Sequence, residues 1–176
     1  MSLYDKANFA IISFVHETLF GLFVDPYPPL RAAGLGQGLN VLEVGCGPGY
    51  FTVPAAEIVG ASGHVVAIDI NPVAIRHVKH KVEEKRLANV EVLLADASNT
   101  GLPDSSFDVV FLFGVVHALD LSTTIPEMHR VLKTTGCLSA EVHRSTGTQL
   151  LKAATKDGLF HLTQKSGRIC SFCKGP

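Results

Sequence analysis

Residues 40–52 combine residue types and spacing that suit ligand binding. They read NVLEVGCGPGYFT, in which Glu43 is followed by Gly45, Gly47 and Gly49. Glycines at every second position let the chain turn sharply and bring backbone N–H groups close to a ligand, because no Cβ stands in the way. The apolar residues before them predict a buried parallel strand, and the residues after them predict a helix. The segment is therefore predicted to be the first half of a nucleotide-binding βαβ unit.

Two aspartates follow the next two predicted strands. Asp69 ends the run HVVAID, and Asp96 follows the run VEVLLA. Ligands of open α/β sheets bind at the carboxyl ends of the strands, so Asp69 is placed to accept hydrogen bonds from both hydroxyls of a ribose. The alternative role of Asp69, capping the next helix, is better suited to Asn71, which precedes a proline. Asp96 is placed at the same edge, and its alternative, purely structural role is to open the turn before Gly101.

His117 is the titratable residue that we expect to face the reacting groups. It follows the fourth predicted strand, residues 109–113, in the run FGVVH. An imidazole can take a proton near neutral pH. The alternatives are that His117 stabilises its loop or binds a backbone carbonyl. Asp120 is close enough in sequence to orient the ring.

The glycine segment resembles motif I of the class I S-adenosylmethionine-dependent methyltransferases, E-x-G-x-G-x-G. A dinucleotide-binding turn has G-x-G-x-x-G instead, whereas position 50 is Tyr. Residues 102–108 resemble the L-P-x-x-x-F-D stretch of the same family. Residues 127–133 resemble the helix before its fifth strand, although K-T-T-G replaces the usual K-P-G-G at the end. The resemblance covers roughly residues 38–144 and is strongest to the small-molecule enzymes akin to ubiquinone/menaquinone C-methyltransferases.

This resemblance implies S-adenosylmethionine as cofactor and S-adenosylhomocysteine as product. It implies that Asp96 binds the adenine amino group, that the next backbone N–H meets the ring, and that the segment from Phe113 lies over the methionine part. The implied cofactor-binding residues are Glu43, Gly45, Cys46, Gly47, Gly49, Asp69, Ile70, Asp96, Ala97, Phe113 and Gly114. His117 is the candidate catalytic residue, and a base is needed only if the acceptor is protonated at neutral pH.

The fold implied is a Rossmann-like, seven-stranded, mostly parallel sheet with helices on both faces and a C-terminal antiparallel hairpin. The sequence pattern places a helix at 122–133, with Pro126 as an alternative start, a fifth strand at 137–143 and a helix at 148–157. The hairpin strands are predicted at 160–164 and 168–173. We expect a single domain over residues 1–176, made of an N-terminal helical segment, 1–37, and a Rossmann-like core, 38–176.

Residues 9–24 form the most apolar stretch of the chain. It is 16 residues long and is interrupted by His16 and Glu17, so it is shorter than the ~20 residues that span a bilayer as a helix. Asp5 precedes it and no small-residue cleavage site follows, so a signal peptide is not expected. Three roles remain: a lid over the site, a surface for a lipid-like substrate or membrane, or a helix that only covers the sheet. Residues 25–29 are expected to break this helix.

Composition narrows the function classes. The 176 residues carry a formal net charge of −1, which gives no electrostatic signature of nucleic-acid binding. The four cysteines without a secretory leader predict reduced thiols and a cytoplasmic location. Cys170 and Cys173 have C-x-x-C spacing but lack the second pair of a zinc site, so no metal is predicted. The oligomeric state is left open.

Three functions are compatible with these motifs to different degrees. The first is methyl transfer to a small, apolar or aromatic acceptor. The second is a catalytically silent S-adenosylmethionine-binding partner or regulatory protein, which would be favoured if no acceptor cavity formed. The third, an NAD-dependent dehydrogenase, would also use Asp69, but Tyr50 and the Asp96-Ala97 pair argue against it.

Overall fold

The computed structural model of the protein describes residues 25–175. Seven strands form one sheet in the order β3-β2-β1-β4-β5-β7-β6, in which the first five are parallel and β7 is antiparallel to both neighbours. The strands are β1 (Asn40–Val44), β2 (His64–Asp69), β3 (Val90–Leu94), β4 (Phe107–Leu112), β5 (Leu132–Glu141), β6 (Phe160–Ser166) and β7 (Ile169–Lys174). The fold-class prediction is confirmed.

Within residues 25–175, five α-helices flank this sheet. They are α1 (Tyr27–Ala32), α2 (Thr52–Val59), α3 (Pro72–Glu84), α4 (Leu121–Val131) and α5 (Arg144–Thr155). Alternate strand residues face opposite layers, as the two-residue period of a strand requires. Leu42, for example, packs in the core that α4 and α5 cover, whereas Val41 packs in the core that α1 and α2 cover. None of the helices within residues 25–175 has the length and apolarity needed to cross a bilayer.

The order in which strands are added to the sheet reverses at the gap between β1 and β4. From β1 the chain proceeds through β2 to β3 on one side, and β4 then pairs with the other side of β1. Such a switch point opens a crevice at the carboxyl ends of the strands, where ligands of α/β sheets bind. The glycine turn that follows β1 lies at this crevice.

Several predicted boundaries are wrong in instructive ways. The predicted start of α4 at residue 122 is confirmed to within one residue, and the alternative start near Pro126 is wrong, because the Asp120 side chain caps the helix at Leu121 by accepting a hydrogen bond from Ser122 N at 3.0 Å. Strand β5 begins at Leu132, which pairs with Phe107 across an irregular register, instead of at residue 137. Helix α5 begins at residue 144 instead of 148.

The segment before β1 also differs from the prediction. Residues 25–29 were expected only to break a helix, but α1 begins at Tyr27, and its prolines lie in the first turn, where a missing N–H costs nothing. The apolar stretch 9–24, with its three alternative roles, lies outside the described residues. Leu30 of α1 is fully buried, so α1 is anchored to the domain core.

A buried carboxylate ties the loop after β3 to α4. Glu127 accepts hydrogen bonds from Thr100 N at 2.8 Å, Thr100 Oγ1 at 2.6 Å and Arg130 Nε at 2.8 Å. The Arg130 hydrogen bonds, with those from Thr100, lower the pKa of Glu127 to about 2, although burial opposes them. This network fixes the end of the segment that begins at Asp96.

Glu127→Ala should destabilise the protein by about 1–3 kcal/mol, because it leaves the buried Thr100 N–H and hydroxyl without an acceptor. The midpoint of urea unfolding measures this change. The control is Glu83→Ala on the exposed face of α3, which should change stability by less than about 0.5 kcal/mol. Equal midpoints for the two variants would show that the network does not stabilise the loop.

Candidate functional site

The turn after β1 depends on glycine for its backbone conformation and for close packing. Gly45, Gly47 and Gly49 have φ angles of 75°, 49° and 80°. A Cβ on Gly45 would lie 2.5 Å from Val115 Cγ2, and one on Gly49 would lie 3.0 Å from Val78 Cγ2. A Cβ on Gly47 would meet nothing within 4 Å, so this residue faces open space. Two glycines therefore allow close packing, and the middle one leaves room beside the backbone.

Asp69 holds this turn against the end of β2. Its Oδ2 accepts a hydrogen bond from Gly47 N at 2.9 Å, and its Oδ1 accepts one from Asn71 N at 2.8 Å. Asn71 caps α3 by accepting from Val73 N at 2.9 Å, as the sequence indicated. A carboxylate has about four acceptor positions, so Asp69 can hold the turn and still accept from a ligand.

Glu43 forms part of the floor below the turn. It is 2% exposed, and Thr52 Oγ1 donates a hydrogen bond to its Oε2 at 2.6 Å. Burial raises the pKa of the Glu43 carboxyl to about 8, and the charge of Asp69 adds to this effect. Glu43 is therefore mainly a neutral acid at pH 7, close to a second carboxylate that is needed for the turn.

A cavity of about 710 Å³ opens at this edge of the sheet. It brings together most of the residues that the sequence singled out. These are Glu43, Gly45, Cys46, Gly47, Asp69, Phe113, Gly114 and His117. Further lining comes from α1, from the two aromatic residues after the glycine turn, and from the β6–β7 hairpin.

The other four predicted cofactor residues do not line this cavity. They are Gly49, Ile70, Asp96 and Ala97. Gly49 packs against α3, and the Ile70 side chain is 71% exposed at the same edge. Their roles in cofactor binding stay predictions.

Asp96 opens a turn, as its alternative role required. Its Oδ1 accepts hydrogen bonds from Ser98 N at 2.8 Å and Ser98 Oγ at 2.7 Å, and these bonds lower the pKa of Asp96. Asp96 nevertheless lies at the same edge as Asp69, because Ala95 N donates to Asp69 O at 3.1 Å. Asp69 thus ends β2, and Asp96 lies two residues beyond the end of the neighbouring parallel strand β3.

His117 lies on a single 3₁₀ turn, Val116–Ala118, at the mouth of the cavity. Its side chain is exposed. Within residues 25–175 no hydrogen bond joins it to Asp120, whose Oδ1 accepts from Ser122 N and Oγ. The suggestion that Asp120 orients His117 is therefore not supported by this arrangement, and the catalytic role of His117 stays a prediction.

The aromatic wall of the cavity was missed in the sequence. Phe51 packs edge-on against Phe113, with ring centroids 5.2 Å apart, and Tyr50 packs against Phe51 at 4.8 Å. Tyr50 and Phe51 directly follow the glycine motif, and that position was the available signal. Glu141 and Arg168 carried no such signal, since only the pairing of β5 with β7 brings them together.

The contact between cysteines in the structure does not join the two residues of the C-x-x-C motif. Cys170 packs in the core beside Phe172, whereas Cys173 faces the other side of β7, with its Sγ 2.9 Å from Cys137 Sγ. Burial raises the pKa of Cys137 to about 12. Across the described part of the chain, no three His, Cys, Asp or Glu side chains are grouped in a way that could hold a metal.

The chemistry of the cavity fits S-adenosylmethionine better than a dinucleotide. Glu43 and Asp69 present carboxyl groups beside the glycine turn, and the hydroxyl of Thr52, at the start of α2, is turned toward Glu43. The Asp69 carboxylate beside the glycine turn would repel a pyrophosphate, which helix starts otherwise bind. The two carboxyl groups together suit a ligand that offers ribose hydroxyls, an amine and a positive charge.

Comparisons with known proteins agree with this description. A family model described as a methyltransferase domain matches residues 35–171. The chain is 35% identical over 134 residues to a demethylmenaquinone methyltransferase of Geobacillus sp. (strain WCH70), which covers 76% of this chain and 55% of the relative. A demethylmenaquinone methyltransferase of Listeria welshimeri is 38% identical over 104 residues, or 58% of this chain and 44% of the relative. The chain thus spans about half the length of the curated relatives that it matches.

Solved structures share the fold. A SAM-dependent methyltransferase from Aquifex aeolicus superposes with a TM-score of 0.77 at 24% identity, covering 94% of this chain and 95% of that one. A putative S-adenosyl-L-methionine-dependent methyltransferase from Methanococcus maripaludis gives a TM-score of 0.83 at 14% identity, covering 100% and 96%. The second pair matches along almost the full length of both chains.

Glu43→Gln should remove a pH dependence of stability. In the wild type the unfolded chain ionises Glu43 near pH 4.5, whereas the folded protein holds the proton up to about pH 8. The stability that Glu43 contributes is therefore complete below about pH 4.5 and is lost as the pH rises to 8. Thermal unfolding at several pH values should show a steeper fall in Tm for the wild type than for the variant. Glu83→Gln is the control, and identical profiles for Glu43→Gln and wild type would contradict the prediction.

Proposed function

This chain belongs to the methyltransferase domain family, and on that premise we propose that it transfers a methyl group from S-adenosylmethionine to a small aromatic acceptor. The observation that carries the proposal is the cavity at the switch point of the sheet, where Asp69 holds a glycine turn beside open space. Family membership and the acidic lining of the cavity support S-adenosylmethionine as the cofactor.

Different residues of the chain would bind different parts of the cofactor. Asp69 would accept the ribose hydroxyls through the acceptor positions that Gly47 and Asn71 leave unused. Asp96, at the end of the neighbouring strand, would accept from the adenine amine, and Glu43 would give its proton to solvent and face the cationic amino-acid end. S-adenosylmethionine, when bound, supplies an electrophilic methyl group on a sulfonium.

The acceptor end of the cavity is aromatic and apolar. Tyr50, Phe51 and Phe113 line it together with the prolines of α1. Such walls favour a planar ring, and the relatives from Geobacillus and Listeria are named for demethylmenaquinone. We therefore propose a quinol-like acceptor. Alignment of acceptor and donor in one cavity can supply about 7–11 kcal/mol at best, so His117 is needed as a base only if the acceptor is protonated.

An enzyme needs space for a methyl acceptor, whereas a protein that only binds the cofactor does not. The cavity extends from the glycine turn to Glu141 and Arg168, beyond the residues assigned to the cofactor. A protein that only bound the cofactor would need no such extension. This favours the enzyme over the catalytically silent partner. We also propose a cytoplasmic location, which free cysteines suit.

Two measurements test the proposal. Calorimetric titration of the purified protein with S-adenosylmethionine should show saturable binding, and titration with NAD should show none. Incubation with S-adenosylmethionine and a panel of quinols, phenols, thiols and amines should release S-adenosylhomocysteine with quinols or phenols. Binding without release for any acceptor would support the silent partner, and absence of binding would refute the proposal altogether.

Asp69→Ala should weaken S-adenosylmethionine binding at least tenfold, about 1.4 kcal/mol, because it removes both the predicted ribose acceptor and the support of the turn. Asp69→Asn, which keeps one acceptor oxygen, should lose less. Calorimetry measures both affinities. Asp104→Ala removes a carboxylate that pairs with Arg130 instead and should bind like the wild type. Unchanged affinity in Asp69→Ala would remove Asp69 from the site.

A further inference from the structure

An ion pair lies in the wall of the main cavity, outside the glycine turn. Glu141 is the last residue of β5, and Arg168 directly precedes β7. Arg168 Nη2 lies 3.0 Å from Glu141 Oε1. The backbones of this region are tied together, since Val142 N donates to Arg168 O at 2.8 Å and Glu141 is in register with Ile169. The guanidinium therefore extends from a fixed point on the sheet.

Arg168 differs in charge from the other ionisable residues of the cavity. Among the described lining residues, Glu43, Asp69 and Glu141 are acids, His117 is an imidazole, and Arg168 carries the permanent positive charge. Its side chain is 62% exposed, so the pair with Glu141 contributes little to stability. A guanidinium has five N–H donors, more than a pair with one carboxylate occupies, so donors remain for a ligand.

The charges of the cavity are thus separated along its length. The carboxyl groups beside the glycine turn suit the cationic cofactor, whereas the guanidinium lies with the hairpin at the other wall. An aromatic hydroxyl is a far better methyl acceptor, at oxygen or at the ring carbons, once it is an anion. A planar guanidinium is the side chain best suited to hold such an oxygen anion.

We propose that Arg168 is a specificity-determining residue that selects aromatic acceptors bearing an anionic oxygen. This inference rests on the proposed function, because it assigns the acceptor end of the same cavity. The ring would pack on the aromatic wall of Tyr50, Phe51 and Phe113, and the anion would bind the guanidinium. Glu141 restrains the guanidinium in the cavity wall.

Two probes of the same shape and different charge test this selection. Protein saturated with S-adenosylhomocysteine is titrated at pH 7.5 with 2-naphthoate and with its neutral isostere 2-naphthamide, and the fluorescence of the ring reports binding. The wild type should bind the anion about three- to fivefold more tightly, the range of a partly exposed ion pair. Because the attraction is electrostatic, raising the salt from about 0.05 M to about 0.5 M should abolish the preference.

Single substitutions test whether the preference for the anionic probe comes from the Arg168 side chain. Arg168→Gln should abolish it, Arg168→Lys should retain part of it, and Lys79→Gln, which removes a charge from an exposed position of α3, should leave it unchanged. Wild-type protein that binds the two probes equally or not at all, a salt-independent preference, or a preference that survives Arg168→Gln would overturn the proposal.

The affinity for S-adenosylhomocysteine, measured in the same variants, separates this inference from the function beneath it. Unchanged cofactor affinity with no charge preference overturns only the role of Arg168. A protein that binds no S-adenosylhomocysteine overturns the proposed function and this role together.

Discussion

The contact between Asp69 and the backbone N–H of Gly47 is the constraint on which the site depends. It joins the end of β2 to the turn after β1 across the switch point of the sheet. The turn can take this position only because Gly45 and Gly49 pack without side chains against Val115 and Val78. Sheet topology, glycine conformation and one carboxylate thus produce a backbone concavity with open space above Gly47.

Charge is arranged around that concavity in a way that suits its proposed ligands. Glu43 is buried as a mainly neutral acid beside Asp69, so a cation that binds there would favour its ionised form. The guanidinium of Arg168 lies with the hairpin, on the side that we propose for the acceptor. The aromatic rings of Tyr50, Phe51 and Phe113 line the same cavity, and an apolar wall suits a transfer in which positive charge disappears.

Much of this arrangement could be predicted from local sequence signals. The strand, glycine turn and helix around residues 40–58 and the aspartate at the end of β2 follow from hydrophobic runs and glycine spacing, and the structure contains them. The start of α4 could be predicted to within one residue, because its cap is local: Asp120 accepts from Ser122 N, two residues along the chain. The early start of β5 could not be predicted, because the pairing of Leu132 with Phe107 depends on tertiary context. The contact between Arg168 and Glu141 could not be predicted for the same reason, because only strand pairing brings the two residues together.

A crystal structure of the protein grown with S-adenosylhomocysteine would show whether Asp69 and the glycine turn hold the cofactor. We expect the ligand in the cavity beside Gly47, with its ribose hydroxyls on the Asp69 carboxylate and its adenine toward Asp96, while the Asp69 to Gly47 hydrogen bond persists. Electron density for the ligand at another place on the molecule, or a ribose that makes no contact with Asp69, would contradict this expectation.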